Sequence, residues 1–391
     1  MFSFPDLLKF YRDHLATDVM PFWIPCIDWE HGGINNCVAD DGAVLSTDKF
    51  IWSQGRALWT FSALYNHDGN PEWLRIADSL AAYLLRVQPP KGELWPFSLH
   101  QDGSVAEPAM SIYVDGFTIY GLTEYVRATG NQEALELAVQ IYEQTSPLLN
   151  DHSKLQTQPH PIPDGLQAHG PNMSYALFYH ELGLTAKDER IIGRAHELAE
   201  IIMTQHVKPA DKLLYEMVRS GGELVDSDAG NTFLPGHAIE SMWFMFHVYG
   251  HHEDQARIDL ALEVMRWHLE KGWDEKYGGL YLACHAKGGT AVWHQPEAKV
   301  WWPATEALYG LLKAFQISGQ DWCMDWYWRI HEYTFRKFPN RANGEWYHYL
   351  DRQGNVQPNV LEKLAVKDPF HLPRALIFSI KVLEDLCGME E

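Results

Sequence analysis

Polar side chains gather at the starts of helices that are otherwise apolar in this chain. In "FLPGHAIESMWFMF", residues 233–246, His237 and Glu240 stand three residues apart, close to one helical turn, before the segment becomes apolar. Five other segments begin in the same way. Trp52, Gln54 and Arg56 open "IWSQGRALWTF", Tyr113 and Asp115 open "SIYVDGFTIYGL", and Asn172 opens "PNMSYALFYHEL". Trp301, Trp302 and Glu306 open "VWWPATEALYGLL", and His371 and Arg374 open "FHLPRALIFSIKVL". Any one of these turns alone would read as a cap or a satisfied core residue. Arg56 could pair with Asp115, and Glu306 suits the positive end of a helix dipole without any ligand. Six such turns meeting at one place read as a site.

The residue types narrow the chemistry. Two histidines with side-chain pKa values near neutrality can remove a proton and return it. Two arginines and several helix N-termini can hold negative charge developing on oxygen. Aromatic walls suit the apolar face of a sugar. The set fits proton abstraction next to a carbonyl. No HExxH is present, and His237 with Glu240 supplies two metal ligands without a third, so no metal is expected. Dinucleotide-type GxGxxG, P-loop GxxxxGK[ST] and nucleophile-elbow GxSxG motifs are also absent; Ser241 simply follows Glu240.

Composition removes other classes. The formal charge of −21, from 31 basic and 52 acidic residues, repels phosphate backbones and argues against nucleic acid as a partner. No apolar run approaches the length of a membrane span, and the N-terminus lacks the basic and apolar regions of a secretory signal. The five cysteines (26, 37, 284, 323, 387) are scattered and form no CxxC, as expected of reduced thiols in cytoplasm.

The elements that must position the polar turns come from a repeat. Segments of similar form begin at Trp29, Glu93, Leu213, Lys276 and Gly344, each with short apolar runs around a Gly-containing turn. Their starts differ by 64, 120, 63 and 68 residues, so one weak unit belongs near residues 153–169, where Asp164-Gly165 lies. Asp-Gly or Gly-Gly between short apolar runs predicts a β-hairpin in each unit. Between them the periodicity predicts helix pairs: 48–66 with 71–88, 110–129 with 131–147, 172–183 with 187–207, 234–250 with 253–271, and 298–318 with 321–338. Residues 5–17 and 369–386 add one helix at each end. Twelve helices and no long strand predict an all-α (α/α)6 barrel with short β-hairpins at one end, a single domain over residues 1–391. An open superhelix is the rival; closure is favoured because the first and last helices can complete the sixth pair. The helix after each hairpin is the more apolar and is the inner one.

These same residues carry a resemblance. "KFIWSQGRALW", "LPGHAIESMWF", "KVWWPATEAL", "GEWYHYLDRQG" and "FHLPRAL" resemble the N-acylglucosamine 2-epimerase (renin-binding protein) family, whose superfamily includes cellobiose 2-epimerases and mannose isomerases. The resemblance runs along nearly the whole chain and implies an (α/α)6 barrel. It implies catalytic histidines at His237 and His371. Substrate binding would fall to Arg56, Trp52, Tyr113, Asn172, Glu240, Trp302, Glu306 and Arg374. It also implies interconversion of N-acetylglucosamine and N-acetylmannosamine at C2, a homodimer, no required cofactor and ATP at most as an effector. In cellobiose epimerases and mannose isomerases a further histidine lies on the third inner helix; the position matched here is Ser174, which favours the N-acylglucosamine branch. The alternatives are an isomerase or 2-epimerase of unsubstituted mannose or glucose, a glycoside hydrolase using Asp115 and Glu345, and a binding protein without catalysis.

Overall fold

The structure, a computed structural model, describes residues 3–357 and 366–388. Twelve long helices and one short one follow the predicted order among these residues. They are α1 (Phe4–His14), α2 (Met20–Trp23), α3 (Ile51–Asp68), α4 (Pro71–Val87), α5 (Ile112–Thr129), α6 (Gln132–Thr145) and α7 (His169–Ala186). Then come α8 (Glu189–Ile201), α9 (Pro235–His251), α10 (Gln255–Gly272), α11 (Trp301–Ser318), α12 (Asp321–Lys337) and α13 (His371–Gly388). None of the described helices is long and apolar enough to cross a membrane.

The odd-numbered helices from α3 to α13 form a closed inner ring, each packing on the next, with α13 returning to α3. The outer helices cover them pairwise: α4 on α3, α6 on α5, α8 on α7, α10 on α9, α12 on α11, and α1 on α13. This is an (α/α)6 barrel, and its sixth pair is the first and last helix of the chain. The inner helices are apolar on nearly every side because they have neighbours on every side. In α9 every residue from Ala238 to Phe246 is buried, whereas α10 alternates buried and exposed positions. Where α3 meets α5 the backbones nearly touch. A Cβ on Gly121 would lie 2.2 Å from the Gly55 carbonyl oxygen, so glycine is required there.

All the short strands lie in the connections that enter the inner helices, but the hairpin prediction holds only in part. Cys37–Val38 with Val44–Ser46, Ser98–Leu99 with Val105–Glu107, and Val207–Lys208 with Leu213–Leu214 pair locally. The other pairings cross between units: Lys49–Phe50 with Ser98–Leu99, Leu166–Ala168 with Met217–Arg219, Thr232–Phe233 with Cys284–His285, and Lys299–Val300 with Tyr349–Leu350. Each of these joins the residues just before one inner helix to the loop of the next unit. Ring closure brings that loop alongside, and it satisfies backbone groups that a two-residue strand cannot satisfy alone.

Candidate active site

How the inner helices begin determines what surrounds their first turns. The outer helices α4, α6, α8 and α10 are capped by their own side chains, Asn70, Asn131, Asp188 and Asp254. The inner helices α3, α5, α7 and α11 have no side-chain cap. Their first N–H is taken by a carbonyl of the next unit: Ile51 donates to Phe97, Ile112 to Gln156, His169 to Glu216 and Trp301 to His348. This backbone exchange sets a loop side chain beside each first turn. Glu216 comes to His169 and His237 in this way. His348 stacks on Trp301, with ring centroids 3.6 Å apart and planes 8° from parallel.

Two imidazole–carboxylate pairs face one indole. His237 Nδ1 lies 3.2 Å from Glu216 Oε1, and His371 Nδ1 lies 2.8 Å from Glu306 Oε1. The Trp302 ring is centred 5.2 Å from the His237 ring and 5.9 Å from the His371 ring. Both histidines thus engage a carboxylate through Nδ1 and keep Nε2 for another partner, while Trp302 stands between them. Trp302 is held by close packing: a Cβ on Gly236 would lie 2.6 Å from its ring. Behind the second pair, Arg374 donates to Glu240 Oε1 at 2.5 Å and Glu306 Oε1 at 2.9 Å, and Trp243 Nε1 donates to Glu306 Oε2 at 2.9 Å.

The two imidazoles are biased in opposite directions. Burial opposes charge on His237, but the Glu216 carboxylate, with Glu240 behind it, more than offsets this and its pKa is raised. Burial likewise disfavours the Glu216 charge, yet His237, through its charge and its hydrogen bond, and the nearby His169 hold its pKa well below the usual range. Burial pushes His371 down to about 3; Arg56 and Arg374 push the same way, against Glu240 and Asp368. Glu306 is raised by burial despite Arg374. The two rings are therefore biased apart, His237 toward the protonated form and His371 toward the neutral one.

The remaining predicted residues are distributed unevenly. Arg56 is partly exposed, donates to Asp368 at 3.2 Å rather than to Asp115, and lies 4.0 Å over the Phe117 ring. Tyr113 is near Glu216, whose charge adds to burial in raising the phenol pKa. Trp52 packs edge-on against Phe97 at 4.9 Å. Asn172 is fully buried and turned toward the Ala168 carbonyl and His152, beneath the mouth. Of the hydrolase pair, buried Asp115 accepts the Trp95 N–H at 3.3 Å and is pushed to about 8 by burial, whereas Glu345 is paired with Lys367 at 3.0 Å. Those two carboxylates belong to separate networks.

Sequence reading passed over His169, Glu216, Asp368, Trp243 and His348. His169 had a signal. It opens α7 as "HGP", as His371 opens α13 as "HLP", with a proline in the first turn where its missing N–H costs nothing. The helix expected from Asn172 begins three residues earlier, at His169. The third inner helix carries His169 and His180, neither of them at the Ser174 position. Glu216 has no such signal: it stands in the loop before α9, and the cross-unit pairing is what joins it to His169.

The expectation that His237 lacks a third metal ligand also changes. His169, Glu216 and His237 place one ligand atom each within 4.8 Å of one another, and so do Glu240, Glu306 and His371.

Several known proteins are similar to this chain in sequence and in shape. Residues 32–372 match the family model for N-acylglucosamine 2-epimerase (GlcNAc 2-epimerase). The N-acylglucosamine 2-epimerases of Bos taurus and Homo sapiens are each 29% identical to this chain over 97% of it, covering 93% and 91% of their own lengths. Among solved structures, the cellobiose 2-epimerase of Spirochaeta thermophila superposes with a TM-score of 0.84 at 20% identity over 98% of both chains. A D-mannose isomerase superposes with a TM-score of 0.79 at 19% identity, over 97% of this chain and 98% of its own. At such identities the structural likeness speaks to the fold.

Proposed function

The chain belongs to the N-acylglucosamine 2-epimerase family, and from that premise we infer that it is an isomerase interconverting N-acetylglucosamine and N-acetylmannosamine at C2 of the open-chain sugar. The observation that carries the mechanism is the pair of oppositely biased imidazoles, each within 6 Å of the Trp302 indole. Inverting one carbon through a planar intermediate needs a base on one face and an acid on the other.

His371, neutral at rest, takes the C2 proton through Nε2. The electron pair of the broken C–H bond moves into C1–C2, and the carbonyl electrons move onto O1. Arg56 receives the O1 charge, because it is partly exposed, whereas Arg374 is buried between Glu240 and Glu306. The protonated His237 then delivers a proton to C2 from the opposite side as the O1 charge collapses. The reverse reaction begins with His237 neutral and His371 protonated. Glu216 and Glu306 hold the two rings through Nδ1. The amide at C2 keeps the reaction an epimerisation: a ketose would require an N-acyl imine, whereas a C2 hydroxyl would allow the proton to return at C1.

Proton NMR of N-acetylglucosamine with the enzyme in heavy water tests the reading. N-acetylmannosamine should appear carrying solvent deuterium at C2; retention of hydrogen at C2 during turnover would rule the mechanism out. Conversion of free mannose in preference to N-acetylmannosamine would move the assignment to an aldose isomerase or 2-epimerase. The same reading takes the enzyme as a cytoplasmic homodimer without a required cofactor. Solution sizing and assays with and without ATP test the assembly and the effector.

A further inference from the structure

Two clusters in the mouth have the donor types of a metal site, and one observation separates them. Glu240, Glu306 and His371 enclose Arg374, whose guanidinium lies 2.5 Å and 2.9 Å from the two carboxylates. A cation already occupies that position. The cluster of His169, Glu216 and His237 contains no lysine or arginine. Glu216 Oε1 lies 3.2 Å from His237 Nδ1, and Glu216 Oε2 lies 3.7 Å from His169 Nδ1. Tetrahedral zinc with bonds near 2.0–2.1 Å sets neighbouring ligand atoms about 3.3 Å apart. The two measured separations bracket that spacing.

His169 supplies the independent sign of a ligand. Its side chain is fully buried, and its Nδ1 has no hydrogen-bond partner among the described residues. Its Nε2 is 3.0 Å from Ser241 Oγ, which fixes the ring and aims Nδ1 at Glu216. A buried ring nitrogen without a partner is costly unless something fills the place it faces. A histidine held from behind with its other nitrogen free is the usual arrangement around a bound metal.

We propose that His169 Nδ1, Glu216 and His237 Nδ1 form a site for a borderline divalent transition ion, Zn2+ in the first instance, and that its occupancy inhibits the enzyme. Two imidazoles and one carboxylate leave a fourth position for water or a sugar oxygen. The ion would take the His237 nitrogen that now meets Glu216. With Nδ1 ligated, Nε2 keeps its proton and is neither a base nor an acid of imidazolium strength. The ion site stands on geometry alone; the inhibition rests on the functional reading above.

The test is Zn2+ binding to the purified full chain by competition with a chromogenic chelator, without turnover, alongside Zn2+ titration of epimerisation. One equivalent should bind. His169→Asn and Glu216→Gln should each weaken binding a hundredfold or more, while His371→Asn should bind as wild type does. Co2+ should give the visible bands of a four- or five-coordinate ion in wild type and lose them in His169→Asn; if that variant does not fold, Glu216→Gln carries the comparison. Zn2+ inhibition competitive with sugar and reversed by EDTA supports the regulatory part. No stoichiometric binding, or equal loss in His371→Asn, overturns the site. Tight binding with undiminished epimerisation overturns the inhibition and the role of His237 while leaving the site intact.

Discussion

The two histidine–carboxylate pairs of the mouth share a geometry and differ in electrostatics. Each histidine engages its glutamate through Nδ1, at 3.2 Å for His237 and 2.8 Å for His371. Each sits in the first turn of an inner helix. What differs is the layer behind. Among the described residues Glu216 pairs with His169 and His237 and with no arginine or lysine, so its charge acts on His237 and raises it. Glu306 already shares Arg374 with Glu240, so its charge is largely answered, and burial with two nearby guanidiniums drives His371 down. The third neighbour of a dyad, more than the dyad itself, determines whether its histidine waits as acid or as base.

The most severe way to break this contrast is to remove the guanidinium. Arg374→Met should leave Glu240 and Glu306 buried without their cation, costing about 3–5 kcal/mol. Chemical denaturation should report that loss, and Glu216→Gln should cost far less; equal losses would contradict the difference drawn here.

Next are the histidines. His237→Asn and His371→Asn should each lower kcat for epimerisation by about a hundred- to ten-thousand-fold. Their residual chemistry should differ: each variant should still exchange the C2 proton of one epimer with solvent, and the two should choose opposite epimers. Deuterium wash-in followed by NMR reads this directly, and exchange of the same epimer by both variants would end the two-base assignment.

A smaller effect sharpens the electrostatic half. In the direction begun by His371, activity needs His371 neutral and His237 protonated. With His371 held low and His237 held high, the plateau should span neutrality. Glu216→Gln should bring the basic limb of the kcat profile to lower pH and leave the acidic limb in place. Stability follows the same signs. The raised His237 contributes stability that is full below about 6.5 and is lost as pH rises through its folded value. The lowered Glu216 contributes stability that is present above about 4.5 and is lost as pH falls through its own. The Tm difference between wild type and Glu216→Gln should therefore peak between those two pH values.

The smallest effect belongs to Ser241. Ser241→Ala removes one hydrogen bond to His169 and should cost about 1 kcal/mol, measured from the denaturation midpoint, with a minor change in kcat.

Much of this was legible in the chain. Helix limits matched to within a few residues, because the apolar period switches between hairpin and helix. His237, Glu240, Glu306, His371 and Arg374 were found because each stands in a polar first turn of an apolar helix. Where the reading failed, the cause was a contact between units. Glu216 is a bend residue just before a short strand, with nothing local to distinguish it, and the pairing of Leu166–Ala168 with Met217–Arg219 is what sets it beside His169 as well as His237. A pairing of Arg56 with Asp115 was open from the sequence, but ring closure brings Asp368 to it instead.

Periodicity and composition are properties of neighbours along the chain. They sufficed to define twelve helices, their pairing, the inner ring and the two histidines at its mouth. The charge state of each histidine depends on groups a few ångströms away that are distant in sequence: Glu216 for one, Arg56 and Arg374 for the other. Coulombic interaction and burial act through space, so only the closed barrel could decide which imidazole carries a proton.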